Sequence, residues 1–228
     1  MYTVILAAGR GTRMGDLSKE TSKVMIEING KPKLAYTIEQ LPEEITDVVV
    51  VVNYQAEKIK NYFGESFDGK NIHYAHQESL DGTDGAVRAA QKHLHEQDKF
   101  LVLSGDDLFL KKDLQRMLRY SYAMLVHYSH DAKQFGLVSI DDNDFVDDLM
   151  EKSERHSEGL IFTGACMLGK EYFDTKPVQV SETEYGLPHT LLSMYDTHPA
   201  KAVHTELWLP VGTPEQLNTA IQHIEQFS

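Results

Sequence analysis

Sulfur chemistry has almost nothing to work with in this chain. A single cysteine, Cys166, excludes an internal disulfide and fits a reducing, cytoplasmic setting. It lies in an apolar run, where a thiol packs as core rather than serving as a nucleophile. Long apolar runs are missing as well. The longest strongly apolar stretch, Val48 to Val52, is far too short to cross a bilayer. No basic region followed by a hydrophobic stretch marks a signal peptide at the start. No Pro/Gly/Ser-rich linker, low-complexity tract or internal repeat divides the 228 residues, which predicts a single domain, 1–228. Cations are in deficit: 22 Lys and Arg against 35 Asp and Glu leave a formal net charge of −13, which argues against nucleic-acid binding. The 11 histidines are scattered without metal-ligand spacing, with His189 beside Pro188 the one in a notable position. No Ser/His/Asp or Cys/His set for nucleophilic catalysis is evident.

The cations that are present gather at the start. Residues 1–33 hold Arg10, Arg13, Lys19, Lys23, Lys31 and Lys33 against Asp16, Glu20 and Glu27, a net positive segment on an acidic chain. Within it, the apolar run Val4 to Ala7 enters a loop in which Gly9 and Gly11 alternate with Arg10 and precede Arg13. Without side chains in the way, backbone N–H groups can close on a ligand, and consecutive N–H groups form an anion-binding concavity. An ordinary turn after a first strand is the alternative. The loop is not a Walker A motif, which ends in Gly-Lys-Ser/Thr. Nor is it a dinucleotide fingerprint, since Met14 stands where the third glycine would fall.

Patterning predicts strands at Tyr2–Leu6 and Asp47–Val52, the latter a continuous apolar run of the kind buried on both faces of a parallel sheet. Further strands are predicted at Ile72–His76 and in FLVLSGDD, where the chain leaves the sheet at Gly105. Helices are predicted at Lys33–Leu41, opened by Pro32, in QAEKIKNYFG, ended by Gly64, and at Asp84–Leu94. This alternation gives an α/β fold with a doubly wound sheet, whose ligands sit beyond the carboxyl ends of the strands. The glycine loop and the acidic pair Asp106–Asp107 both fall there. Later, Ala123–Tyr128, Leu137–Ile140, Phe145–Glu151, Leu160–Leu168 and Ala202–Leu209 read as strands, with helices at Leu187–Met194 and after Pro214.

The stretch LAAGRGTRMGDLSKETSKVMIEINGKPKLAYTIEQL resembles the opening of the nucleoside-triphosphate:sugar-1-phosphate nucleotidylyltransferases. Their pattern runs LAAGxGTR, a Thr-Pro-Lys, then Gly-Lys-Pro and Leu-x-Tyr. GTDGAV, SGDDLF, FGLVSID, EK, FTGACML and WLPVGTPEQL follow in the expected order, so the resemblance covers nearly the whole chain. It implies a Rossmann-like, GT-A-like fold with a mixed, mostly parallel sheet flanked by helices. Residues 1–120 would form the nucleotide-binding half and 121–228 the sugar-phosphate half.

By the same resemblance Leu6, Ala8, Gly9, Gly11 and Thr12 bind the nucleotide, the two glycines wrapping the triphosphate through backbone N–H groups. Arg13 would hold the β and γ phosphates, and Lys23 would reach the phosphates or the sugar phosphate. Gln77 and the Gly82 backbone resemble groups that pair with a pyrimidine edge; Thr83 either touches ligand or caps its helix. Asp84, a first-turn acid, reads as structural. Asp106 would be a ligand of Mg²⁺, with Asp107 ranked below it. Gly136, Glu151, Lys152, Thr163 and Gly164 resemble the sugar-phosphate pocket, with Lys152 a point charge for the incoming phosphate. Arg13, Lys23 and Lys152 would carry catalysis.

Three positions depart from the pattern. Asp84 stands where the family usually has a small residue. Ser22 replaces a proline that shapes the loop before Lys23. Pro210 stands where the family usually has an aspartate as second metal ligand, and Glu206, about 13 Å away along a strand, is too far to replace it. Mg²⁺ would then ride mainly on the triphosphate and Asp106, or catalysis is weakened. The implied reaction joins an NTP, UTP or dTTP for preference, to a sugar-1-phosphate, giving NDP-sugar and pyrophosphate. A cytidylyltransferase acting on a non-sugar phosphate, such as phosphocholine or a polyol phosphate, stays open. So does a non-catalytic nucleotide-sugar sensor. Partners are small molecules, with no nucleic acid and no membrane. No β-helical tail follows Gln216 to Ser228, so the acyltransferase activity of longer relatives is not expected.

Overall fold

A computed structural model describes residues 1–9, 11, 14–15, 22–150 and 158–227. The chain opens with strand β1 (Tyr2–Leu6), a hairpin of two short strands, β2 (Glu27–Ile28) and β3 (Lys31–Pro32), and helix α1 (Lys33–Glu39). Strand β4 (Asp47–Val52) leads through α2 (Ala56–Phe63) and the short β5 (Ser66–Phe67) to β6 (Lys70–His76). Helix α3 (Thr83–Ala89) precedes β7 (Lys99–Ser104), a two-residue β8 (Asp107–Leu108) and α4 (Lys111–Met117). The second half holds β9 (Ala123–Ser129), β10 (Leu137–Ile140), β11 (Val146–Met150) and β12 (Gly159–Gly169). Helix α5 (Leu187–Leu192), β13 (Lys201–Thr205), β14 (Leu209–Pro210) and α6 (Pro214–His223) complete it.

The main sheet runs β11-β10-β12-β7-β1-β4-β6-β5, with β9 on β12 and β13 on β9. Its centre, β7-β1-β4-β6, is parallel, and β12 joins it antiparallel along β7. Side chains of β4 alternate between two cores, as a strand buried on both faces must. Val48, Val50 and Val52 pack with Leu34 and Ile38 of α1 and Phe63 of α2. Val49 and Val51 face Ala86 and Val87 of α3 and Leu187 and Leu191 of α5. A third cluster, including Ile28, Leu108, Leu209, Val211 and Phe227, fastens the C-terminal helix and β14 over β8. The expected α/β fold with a mixed, centrally parallel sheet is what the chain adopts. Among the described residues no helix is long and apolar enough to cross a membrane.

The predicted strand Ala202–Leu209 is two strands. β13 ends at Thr205, whose buried hydroxyl bonds the Asp113 carboxylate at 2.5 Å and accepts from Leu207 N at 3.2 Å. This local polar knot turns the chain out of the sheet, and β14 pairs antiparallel with β8 instead, placing Pro210 opposite Asp107. The predicted helix Asp84–Leu94 starts one residue earlier and tightens into a 3₁₀ turn at Gln91–His93. Helix α4 and the β2–β3 hairpin are elements that patterning did not indicate.

Candidate active site

Beyond the carboxyl ends of β1, β6 and β7 lies a cleft of about 770 Å³. It is lined by Leu6, Ala8, Gly9, Gly11, Lys23, Gln77, Gly82, Thr83, Asp106, Gly136, Thr163 and Gly164, so residues expected to act together from five separate stretches do meet. Thr12, Arg13, Glu151 and Lys152 lie outside the described residues.

Ala7 N still bonds Val51 O at 2.9 Å, so the sheet ladder holds the chain up to the mouth of the glycine loop. Gly11 has φ +65°, and a Cβ there would come within 2.7 Å of Lys23 Cβ. Glycine is thus required both by the turn and by the close approach of Lys23. Lys23 itself is buried in a 3₁₀ turn, Lys23–Met25.

The Lys23 ammonium donates to Asp106 Oδ2, and the Ser104 hydroxyl donates to Oδ1 at 2.5 Å. Burial works to raise the Asp106 carboxyl, but Lys23, Lys33 and these hydrogen bonds outweigh it and hold Asp106 well below the usual carboxylate range. Asp107 goes the other way: burial first, then the Asp106 charge, push its carboxyl well above its ordinary value. The two carboxyls are thus pushed in opposite directions, and 27% of the Asp106 side chain is open to the cleft.

Lys33 was visible in the sequence only as one cation among six. It is 0% exposed, and its Nζ donates to Val211 O at 3.0 Å. Burial lowers its pKa to about 8, while Asp106 and Asp107 pull it back up and Lys23 adds to the lowering. Its neighbour Lys31 instead pairs with Glu39 at 2.5 Å and lies over the Tyr36 ring.

On the opposite wall, Gln77 follows β6 and is 5% exposed. Its amide nitrogen donates to Asp81 Oδ1 at 3.0 Å and to Gly82 O at 3.1 Å. Both N–H donors are spent within the protein, which leaves the carbonyl oxygen as the group available to a base. Gly82 has φ +99°, and a Cβ there would fall 2.3 Å from Tyr185 O. The Thr83 hydroxyl does not cap α3; it accepts from Leu187 N at 2.9 Å and ties the loop to α5. Asp84 is structural, as expected: it is 1% exposed, pairs with Arg88 at 2.6 Å and accepts from the Tyr172 hydroxyl at 2.5 Å.

On the third side, the register of β12 against β9 shifts between Phe162 and Cys166, where Thr163 and Gly164 reach the cleft. The Thr163 hydroxyl donates its proton to Leu125 O at 2.8 Å, which leaves it only as an acceptor toward a ligand. Other residues complete the wall: Tyr185, which no motif indicated, His189, noted in the sequence only for its place beside Pro188, and Gln216 of the WLPVGTPEQL stretch. Cys166 is fully buried, and burial pushes its thiol up, so it is core and no nucleophile.

As a metal site the cleft offers little protein chelation. Pro210 lines it opposite Asp107, Glu206 does not line it, and among the described residues no cluster of three His, Cys, Asp or Glu side chains could hold an ion. The Asp106 carboxylate suits Mg²⁺ only as one oxygen ligand beside a substrate's own.

The model of the family described as nucleotidyl transferase matches residues 2–226. The chain belongs to that family. It is 31% identical over 98% of its length to the bifunctional protein GlmU of Methanocaldococcus jannaschii, of which it spans 54%. It is 30% identical to the UTP–glucose-1-phosphate uridylyltransferase AglF of Haloferax volcanii, covering 99% of this chain and 97% of that one. Among solved structures, HddC from Yersinia pseudotuberculosis complexed with GMP-PN superposes with a TM-score of 0.79 at 26% identity, covering 98% of this chain and 99% of that one. The UDP-glucose pyrophosphorylase from Acinetobacter baumannii shares the nucleotidyl transferase fold with a TM-score of 0.83, at 20% identity over 97% of this chain and 92% of its own.

Proposed function

We propose that this nucleotidyl transferase joins a nucleoside triphosphate, UTP or dTTP for preference, to a sugar-1-phosphate and releases pyrophosphate. The observation that carries the reading is the Lys23–Asp106 pair, an ammonium and a charged carboxylate lining the same cleft as Gly9 and Gly11, with Lys23 packed closely on Gly11. An oxygen of the sugar phosphate attacks the α-phosphorus in line, the bond to the bridging oxygen breaks, and pyrophosphate leaves with that electron pair. The sugar phosphate is already an anion, so no protein base or nucleophile is needed. Catalysis is then positioning and charge neutralisation, carried by Lys23 together with Arg13 and Lys152, the roles their motifs imply. Mg²⁺, bound through Asp106 and the phosphates, would add charge neutralisation at the departing pyrophosphate.

The base preference rests on Gln77. A free carbonyl oxygen accepts the imino N–H of uracil or thymine, whereas cytosine offers a bare ring nitrogen at that place. AglF, similar over nearly its whole length, is named for UTP and glucose-1-phosphate. GTP is the second reading: guanine also carries an imino N–H, and HddC was solved with GMP-PN. Pyrophosphate release measured across UTP, dTTP, GTP and CTP, each with a panel of sugar-1-phosphates and Mg²⁺, decides among them. Release with a uridine or thymidine nucleotide is expected. Release only with CTP and a polyol phosphate or phosphocholine would overturn the reading, and nucleotide binding without any release would make the chain a sensor.

A further inference from the structure

Lys33 is a costly side chain to have placed where it is. It is fully buried, it is the first residue of α1, and an ammonium at a helix N-terminus opposes the helix dipole. One acceptor, Val211 O, meets its three N–H donors among the described residues. An apolar side chain of similar length would carry no desolvation penalty, but it would leave Val211 O without this donor.

What surrounds it is the floor of the phosphate site. Val211, which Lys33 anchors by its carbonyl, donates its own N–H to Asp106 O at 3.0 Å. The next residue, Gly212, bonds Gln216 Oε1 at 2.7 Å, and a Cβ on it would lie 3.3 Å from Lys23 Nζ. Lys23 in turn holds Asp106. Lys23 bonds the Asp106 carboxylate from the cleft side, and Lys33, joined to the Asp106 backbone through Val211, adds its charge from inside.

A lysine locked to a carboxylate cannot also neutralise a phosphate, unless another charge remains behind to balance that carboxylate. We propose that Lys33 is a positioning residue of the phosphate site: it anchors the Leu209–Gly212 segment and stands as the fixed counter-charge of Asp106, so that Lys23 can exchange Asp106 for an incoming phosphate. The proposal rests on the reading of Lys23 as a phosphate ligand. It adds that the exchange depends on a residue the ligand never touches.

Inorganic tripolyphosphate, which has no base or sugar, is the probe. Its binding to the intact protein in EDTA is measured by calorimetry for wild type, Lys33→Met, Lys33→Gln and Lys23→Ala, alongside each variant's melting temperature. Lys33→Gln keeps a donor for Val211 O but removes the charge. Both Lys33 variants are expected to melt at or above wild type and to bind tripolyphosphate at least tenfold more weakly. In turnover assays they should lower kcat with the KM for the sugar phosphate unchanged. Unchanged affinity in both, or a loss confined to variants that melt lower, overturns the proposal and leaves Lys33 a structural anchor. Equal binding by wild type and Lys23→Ala overturns the phosphate reading of Lys23 itself, and the proposal with it.

Discussion

A lysine whose pKa falls to about 8 on folding must show in the pH dependence of stability, and the sign is fixed. Lys33 faces Lys23, Asp106 and Asp107, and its unfolded value lies near 10.4. Folding disfavours its charged form, so the penalty is complete below about pH 8 and is relieved as pH rises toward the unfolded value. The full span is roughly 3 kcal/mol. Chemical denaturation of wild type and Lys33→Met at pH 7 and pH 10 should show wild type gaining on the variant by an amount of this order. A constant difference would mean that Lys33 does not change charge in this range. Asp106→Asn removes the carboxylate both ammoniums share. We expect a loss of roughly 3 kcal/mol, the lower end for breaking a buried pair because cleft water reaches this one, and pyrophosphate release reduced at least a hundredfold. An unchanged denaturation midpoint would show that the two cations need no partner. At this scale the sequence identified Lys23, Asp106 and Gln77 because they sit in motifs. It could not separate Lys33 from Lys31, since the chain passes from strand to helix between them and so sends them to different surroundings, a change that GKPK does not reveal.

Elements were legible where burial on both faces left an unbroken apolar run: β1, β4 and β7 all stand where patterning put them. They were not legible where tertiary contacts decide. The strand expected at Ala202–Leu209 divides because Thr205 finds Asp113, 92 residues away in sequence. The Gln77–Thr83 loop is likewise held by a segment about a hundred residues downstream. Tyr185 N donates to Asp81 O at 2.8 Å, Asp84 N to Tyr185 O at 3.1 Å, and Leu187 N to the Thr83 hydroxyl at 2.9 Å. Gly82 lies at the centre of this contact, and no side chain fits between it and Tyr185. Gly82→Ala should therefore separate the loop from its support, costing about 1–3 kcal/mol of stability from the strained φ and the clash, and raising the KM for the nucleotide about tenfold or more. The KM for the sugar phosphate, which the proposed reading places on the β12 side, should stay within about twofold. Nucleotide KM unaltered by this change would show that Gln77 holds its place without the Tyr185 segment.

For the whole molecule, the doubly wound sheet brings three walls to one cleft: glycine loop and Lys23 from the start of the chain, Gln77 and its loop from the middle, and β12 with β14 from the end. A ligand spanning all three adds to the contacts that already join these parts of the chain, and because it binds only the folded site its binding energy appears in global stability. A nucleotide at one hundred times its Kd adds about 2.7 kcal/mol, and for a chain of this size each kcal/mol raises Tm by about 2–4 °C. The expected shift is therefore about 5–11 °C for the cognate nucleotide at saturation. Because Gln77 presents an acceptor, the order among nucleotides follows from the imino proton: UTP and dTTP should raise Tm most, GTP by less, and CTP least. Thermal melts with each nucleotide at one concentration read that order without any assumption about the acceptor sugar. A Gln77→Glu variant sharpens the test, since a carboxylate accepts the same proton but loses the two donors that hold the side chain to Asp81 and Gly82. Its shifts should shrink for every base alike. A largest shift with CTP in wild type would mean that the Gln77 amide turns its nitrogen to the cleft when a base arrives, and the preference for an imino base would fall.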